Sequence, residues 1–396
     1  MRNAFQDAQL NYVRDEIASG KRVLRPIFKI KPYFNVGLKY DENIFLTNDN
    51  PQTDLIMTIG AGFKFTLGGK FEVDRLEDLR FIPTLQFNLG TQIVDYKKHK
   101  ELNIKPFMNF DGGFIPDIYL QYNLGKNKNK FNLLYSMHPG FAAISSIKVG
   151  GTGQVNYFND MMEANWEQSF RRFGYHVGLR RTTTSYETAY ENSNMEDDMG
   201  ILTGFFKVTP KTRFFAEINY GITKYTNANS DSNNAKYSKV WVGASGRLVP
   251  RVIGEAKIGF VERKYNNGKN DSGLAESFDL TYRKSPKLSF TFRALNEAEE
   301  GSYFSEGFAN TLNLYLGANY NFNRKFSLAL KFMQFEHDKY ESGLLSNTYS
   351  PSIGFQYLFG GWLSMQFEIA HQERHSNRQD VSYEDNIYNL TATANF

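Results

Sequence analysis

From Leu312 to Phe322 every second residue is apolar. Leu312, Leu314, Leu316, Ala318, Tyr320 and Phe322 are separated by Asn313, Tyr315, Gly317, Asn319 and Asn321. The same alternation runs through Phe214, Ala216, Ile218, Tyr220 and Ile222, and through Leu363, Met365, Phe367 and Ile369. Period two is the repeat of a β-strand with one apolar and one polar face. Each stretch lasts roughly 9–14 residues. Soluble strands average about 5–6 residues, whereas about 9–11 tilted residues cross a bilayer. Long alternating strands of this kind exclude a helical bundle and point to a sheet that faces lipid on one side.

Composition agrees. The 396-residue chain carries 35 Phe, 24 Tyr and 32 Gly against 11 Pro, a balance that favours β structure. No run of 18 apolar residues occurs, which excludes transmembrane helices. Cysteine is absent, which excludes disulfides, thiolate metal sites and thiol catalysis. The net charge of +4 is dispersed among acids rather than gathered in a patch, so nucleic acid is not an expected partner.

The connections alternate in length. Short turns occur at "TPKT" around Pro210, "VPR" at Pro250, "KSPK" at Pro286, "FNRK" at Asn323 and "FGG" at Gly360. Between them lie longer polar loops that start near Asn227, Asn266, Asn296, Lys339 and Ser376. Outer-membrane barrels have short periplasmic turns and longer outer loops. Counting back from Phe396 puts every short turn on the side of both termini. The expected fold is all-β: a transmembrane antiparallel up-and-down barrel of about 18 strands, within a range of about 16–20, over residues 27–396. The first strand is placed at 27–40 and the last at 383–396. The weakest region is 97–150, where Pro106 and Pro139 disturb the pattern and "NIKPFMNF" could form a strand of its own.

Residues 1–26 read differently. Phe5, Ala8, Tyr12, Val13 and Ile17 fall near helical spacing, consistent with a short amphipathic helix in the periplasm or lumen. The first 25 residues lack the 7–15-residue apolar core of a secretion signal, so export implies a mature form with a replacement Met1.

An open sheet edge cannot persist in lipid, so the last strand must close against the first. Its terminal pattern of Tyr388, Leu390, Ala392, Ala394 and Phe396 resembles the insertion signal read by the outer-membrane barrel assembly machinery. Outer-membrane lipid and that machinery are the expected partners, with Tyr388, Leu390 and Phe396 as the signal residues.

With Leu314, Leu316, Ile218, Phe367, Ile369 and Leu390 facing lipid, parity turns a set of polar residues inward. They are Glu163, Glu167, His176, Arg180, Glu217, Lys239, Glu255, Lys257, Arg263, Asp279, Arg283, Lys331 and Glu368, together with amides such as Asn165, Asn313, Asn319 and Gln366. These are the candidate pore-lining residues. Both signs are present and neither dominates, so strong ion selectivity is not expected. About 18 strands enclose a lumen wide enough for water. His371 and His375 would lie roughly 13 Å apart on a strand, too far to share one metal ion. His138 near Ser145 and Ser146 is the nearest approach to a nucleophile–base pair, and it lacks an orienting third group. No metal, cofactor or catalytic residue is expected.

The stretch "LKYDENIFLTNDNPQTDLIMTIGAGFKF", Leu38 to Phe65, carries a more particular likeness. A strand ends in Tyr40-Asp-Glu-Asn-Ile-Phe-Leu-Thr47, and Thr53-Asp54-Leu55-Ile56 opens the next. This resembles the start of the outer-membrane β-barrel porin family associated with bacterial exopolysaccharide export. The likeness implies an exit pore for a secreted polysaccharide, partnered by periplasmic export components. Read from the residues alone, Asp41 and Asn43 are ordinary loop-end types. A general diffusion porin for small polar solutes is the alternative, and a barrel enzyme a third. A loop folded into the lumen, with opposite charges along the wall, would favour the diffusion porin. A Ser–His pair at the outer rim would favour the enzyme.

Overall fold

Each long alternating segment pairs antiparallel with its neighbour in sequence, and the last pairs with the first. The computed structural model describes residues 23–24, 28–68, 72–73, 84–103, 117–126, 129–143, 154–186, 194–226, 234–300, 308–340, 343–378 and 382–396. They form a closed barrel of 18 antiparallel staves. The staves are β1 Phe28–Asp41, β2 Asp54–Gly68, β3 Thr84–Tyr96, β4 Asp117–Lys126, β5 Asn129–Ala143 and β6 Gln154–Ser169. Next come β7 Phe173–Tyr186, β8 Met195–Thr209, β9 Thr212–Tyr225, β10 Ala235–Val249, β11 Val252–Tyr265 and β12 Asn270–Arg283. The circuit ends with β13 Leu288–Glu300, β14 Phe308–Asn321, β15 Phe326–Tyr340, the divided β16, β17 Leu363–Ser376 and β18 Tyr383–Asn395. Among the described residues the one helical element is a 3-10 turn, Lys100–Leu102.

The stave β16 consists of Leu345–Tyr349 and Ser352–Leu358, both paired with β15 and with β17. Pro351 explains the break, because it has no N–H to give the ladder. The Ser350 N–H still reaches the Gln334 carbonyl at 2.8 Å, and the Pro351 carbonyl accepts from His371 N at 3.1 Å, so the stave is interrupted without opening the wall.

Several strands run further than the apolar alternation. The alternation predicts strands that start at 198 and 273 and one that ends at 295; their ladders extend to Met195, Asn270 and Glu300. The added residues are Met-Glu-Asp, Asn-Asp-Ser and Asn-Glu-Ala-Glu-Glu. Ladder pairing continues above the level at which outward residues are apolar, because hydrogen bonding does not end where lipid does. The strand expected to reach 147 ends at Ala143. The helical spacing over 3–18, the segment "NIKPFMNF" after Asn103, and the pair Ser145 and Ser146 lie outside the described residues. The connection 69–83 is long although it sits on the short-turn side. Within it Glu72–Val73 forms a two-residue ladder with Val23–Leu24.

Outward and inward faces follow parity, except that β15 slips by one residue at Phe332, where Leu316 pairs with Met333 and Gly317 with Lys331. Ile218, Leu316, Phe367, Ile369 and Leu390 all stand exposed on the outer wall, while their neighbours turn inward. The inward side is identified by contacts between staves that are not neighbours. Lys239 on β10 reaches Glu297 on β13 at 3.0 Å, a meeting that can occur only across the concave face. The seam pairs Tyr33 with Asn395 and continues to Asp41 with Ile387. The Phe396 N–H donates to the Pro32 carbonyl at 3.0 Å. The Phe396 ring is exposed and stacks on Trp362 with centroids 6.0 Å apart.

Leu316→Arg places a charge near the middle of the lipid face. It is expected to cost about 2–4 kcal/mol of barrel stability, read as a lowered urea midpoint in lipid vesicles; an unchanged midpoint would mean the residue is not in hydrocarbon. Deleting Phe396 removes an exposed ring and one rim hydrogen bond. It is expected to slow insertion by purified assembly machinery, followed as heat-modifiable gel mobility, while the assembled barrel keeps its conductance. Equal insertion rates would reduce the terminal pattern to a strand end.

Candidate functional site: the lumen and the first outer loop

The inner wall is built by large rings lying flat on glycines. Tyr237 stands opposite Gly221 in the ladder, and Trp241 opposite Gly259. A Cβ at Gly221 would lie 2.2 Å from the Tyr237 ring, and one at Gly259 would lie 2.8 Å from the Trp241 ring. The missing side chain lets each ring lie along the wall instead of projecting into the bore. Trp241 is thereby buried with Val261 and Ala275. Cations sit over these rings. Lys257 Nζ is 4.8 Å from the Trp241 centroid, and the Arg263 guanidinium is 5.1 Å from Tyr237 and 6.0 Å from Tyr265. Cation–π contact of this kind holds a long basic side chain against the wall.

Most of the candidate residues fall on one tract of the inner wall, β5 to β13, in several small groups. Glu167 accepts from Lys130 at 2.6 Å and from Arg213 at 3.4 Å, the latter from three staves away. Glu163 accepts from the Asn165 amide, and Asn165 Oδ1 lies 3.0 Å from His176 Nε2. Glu217 accepts from Thr203 at 3.2 Å and from Asn219 at 3.0 Å, with the Lys257 ammonium at 3.8 Å. Lys257 also reaches Glu255 at 3.5 Å. Arg180 points its Nη2 at the Met199 sulfur, 3.7 Å away. Asp197 accepts from Thr223 and from Tyr237, each at 2.9 Å.

The remaining candidates stand apart from this tract. Asp279 meets Arg293 at 3.4 Å, both well exposed. Arg283 ends β12 and is exposed. Lys331 reaches Glu368 at 3.4 Å, and Ser352 donates to the same carboxylate at 2.9 Å. Half-exposed pairs of this kind contribute about 0–1 kcal/mol each. Their effect is to fix side-chain positions in the bore, not to hold the barrel together. Lys130, Arg213 and Glu297 belong to the same tract and were not singled out from the sequence, although their strand parity is the same kind of signal.

The outer end holds what parity could not show. The loop after β1 turns back inside the wall. Ile44 is 2% exposed and packs on the inward residues Ile56, Val94 and Tyr96, with Phe45 and Leu102 alongside. Phe45 meets the His99 ring edge-on at 5.2 Å. Asn43, 1% exposed, anchors the turn. Its N–H lies 3.1 Å from Asp41 Oδ1 and 3.0 Å from Asp385 Oδ1. Its amide donates to the Thr47 and Glu384 carbonyls at 2.8 and 2.9 Å and accepts from Thr47 N at 3.0 Å. Leu46 and Asn50 adopt positive φ, 50° and 61°, which lets the loop double back. Asp54, fully buried, accepts from Lys98 N at 3.0 Å, from His99 N at 2.9 Å and from Leu55 N at 2.7 Å. It thereby draws the second outer connection onto the first.

A closed barrel with an inward loop and a charged wall has relatives. Residues 142–396 match the family described as "Putative beta-barrel porin 2". The chain belongs to this β-barrel porin family. No curated protein matches the porin by sequence. Among solved structures, its fold is similar to that of a BenF-like porin from Pseudomonas fluorescens Pf-5, with 8% identity and a TM-score of 0.52 over 93% of this chain and 99% of the other. Pseudomonas aeruginosa OccK2 (OpdF) gives 8% and 0.51 over 93% and 97%. Acinetobacter baumannii OccAB4 gives 13% and 0.50 over 93% and 98%. A barrel porin of this kind belongs in an outer membrane.

Asn43→Ala removes two donors and an acceptor from a buried turn. It is expected to cost about 1–3 kcal/mol locally and to free the loop from the mouth. Planar-bilayer recordings should show a higher and noisier single-channel conductance than the parent. An unchanged trace would mean the loop does not restrict the path.

Proposed function

We propose that the protein is an outer-membrane diffusion channel for small polar solutes. The observation that carries this reading is the first outer loop held inside the mouth by Asn43, Asp41 and Asp385. A fixed constriction suits solutes that pass one at a time. A polysaccharide strand needs an uninterrupted bore for successive sugar rings. The charged tract supports the same reading, since both signs lie within a few ångströms of one another from Lys130 to Glu297. Such a wall offers weak contacts to many polar groups, and passage requires that contacts be weak enough to release.

The exit-pore expectation rested on the likeness of Leu38–Phe65. In the fold those residues build the inward loop and its seat, which favours the alternative. An enzymatic reading gains nothing from the histidines. His99, His176, His337, His371 and His375 meet carboxylates or amides.

Proteoliposome swelling tests the proposal. Monosaccharides and amino acids are expected to enter at rates that fall steeply with size, with oligosaccharides of several rings excluded. A strain lacking the protein should keep its secreted polymer and lose small-solute uptake. Lost polymer with normal uptake would reject the diffusion channel and restore the exit pore.

A further inference from the structure

The outer wall carries a groove that the channel reading does not use. It measures about 620 Å³ and spans β4 to β9. Its floor is Ala164 and Gly200, and its sides are Leu133, Met162, Leu179 and Tyr220. All six belong to the outward register, so the groove opens to lipid. At its outer end Arg181 forks Asp198, Nε to Oδ1 at 2.6 Å and Nη2 to Oδ2 at 2.7 Å. The Arg181 side chain is 53% exposed and that of Asp198 39%.

The height of this pair is meaningful. Along β7 the outward residues are Phe173, Tyr175, Val177 and Leu179, then Arg181, Thr183 and Ser185. Eight residues separate Phe173 from Arg181, about 20 Å along the membrane normal for a strand rising about 3.3 Å per residue at the usual tilt. The apolar band of such barrels is about 25 Å tall. With short turns on the periplasmic side, Arg181 stands where the outer leaflet changes from hydrocarbon to headgroup. Asp198 uses one edge of the guanidinium and fixes its plane, which leaves the Nη1 donors for a further acceptor. Lys224, exposed, lies one outward step closer to the outer end on β9, opposite Glu196 of β8, so the two basic side chains stand beside two carboxylates and the phosphate contact falls to the Nη1 edge of Arg181.

We propose that this groove is a binding site for a lipid of the outer leaflet that bears an anionic phosphate headgroup. One acyl chain lies over Ala164 and Gly200, and the phosphate accepts from Arg181. The apolar trough and the oriented cation at its polar end match the two parts of such a molecule. Association of a second protein copy would need only the apolar part.

Native mass spectrometry of the full barrel in detergent with phosphatidylglycerol or phosphatidylcholine tests the site. Gly200→Phe fills the trough. A Cβ at Gly200 has its nearest neighbours, Leu179 Cδ2 and the Tyr220 carbonyl, at 3.9 Å, so the barrel should accommodate a side chain there. Phosphatidylglycerol adducts are expected to fall at least five-fold in Gly200→Phe. Arg181→Gln should erase the preference for phosphatidylglycerol over phosphatidylcholine, and Arg181→Lys should keep part of it. Ala164→Leu serves as the second filling variant if Gly200→Phe does not fold, with heat-modifiable mobility as the check on folding. Equal adducts in parent and filled variants would overturn the proposal. So would loss of an oligomer with lipid adducts unchanged, which would assign the groove to a second copy of the chain.

Discussion

A backbone N–H or C=O left unpaired in hydrocarbon costs several kcal/mol. The whole architecture depends on removing every such edge. For this chain the decisive pairing is β1 with β18, where residues Tyr33–Asp41 meet Ile387–Asn395. The other ladders of the barrel join neighbours in sequence. The seam alone joins the two ends of the barrel, and it closes the largest loop in the molecule. It therefore carries the largest closure entropy, and its formation depends on the rest of the wall being in register.

The same seam sets the mouth. Asp41 is the last residue of β1, and Asp385 lies near the start of β18. Both carboxylates face inward, and both receive the single N–H of Asn43. The Asn43 amide adds the Glu384 carbonyl of β18. The loop is thus tied to the two staves that close last. Its polar anchors are shared between the two ends of the chain, with Asp41 and Thr47 from one and Glu384 and Asp385 from the other, while Ile44 packs on β2 and β3.

Much of the fold was legible because lipid imposes a strict rule on alternate residues. Ile218, Phe367 and Leu390 could be assigned to the outer face from parity, since a one-residue slip would have sent Asn219, Gln366 and Asn389 into hydrocarbon. The strand ends were less legible. At Met195, Asn270 and Glu300 the ladder continues among polar residues, and alternation stops carrying information once both faces are wet. The break at Pro351 was not read, as Ser352 keeps the register with β17, while the pairing with β15 slips by one residue at Phe332. Within the lumen, parity gave the direction of Glu167, Lys239 and Glu217 but not their partners. The meetings of Arg213 with Glu167 and Lys239 with Glu297 depend on curvature across three staves, which no local pattern encodes. Asp41 and Asn43 look like any loop end. Their burial depends on Asp385, more than 340 residues away.

The arrangement of lumen charges follows from that curvature and limits what the wall can select. Lys257 lies between Glu217 and Glu255, and Glu167 between Lys130 and Arg213. With opposite charges 2.6–3.8 Å apart, the field of each pair falls off within a distance comparable to the Debye length at physiological salt, about 8 Å. A solute in the middle of the bore then feels little net potential, whereas one at the wall meets donors and acceptors in close succession. At the outer end Ile44 and Phe45 pack over the inner wall on Ile56, Val94 and Tyr96. The inward loop and the charged tract therefore lie in series along the bore, Ile44 at the outer end and the Lys257–Glu217 group on the wall.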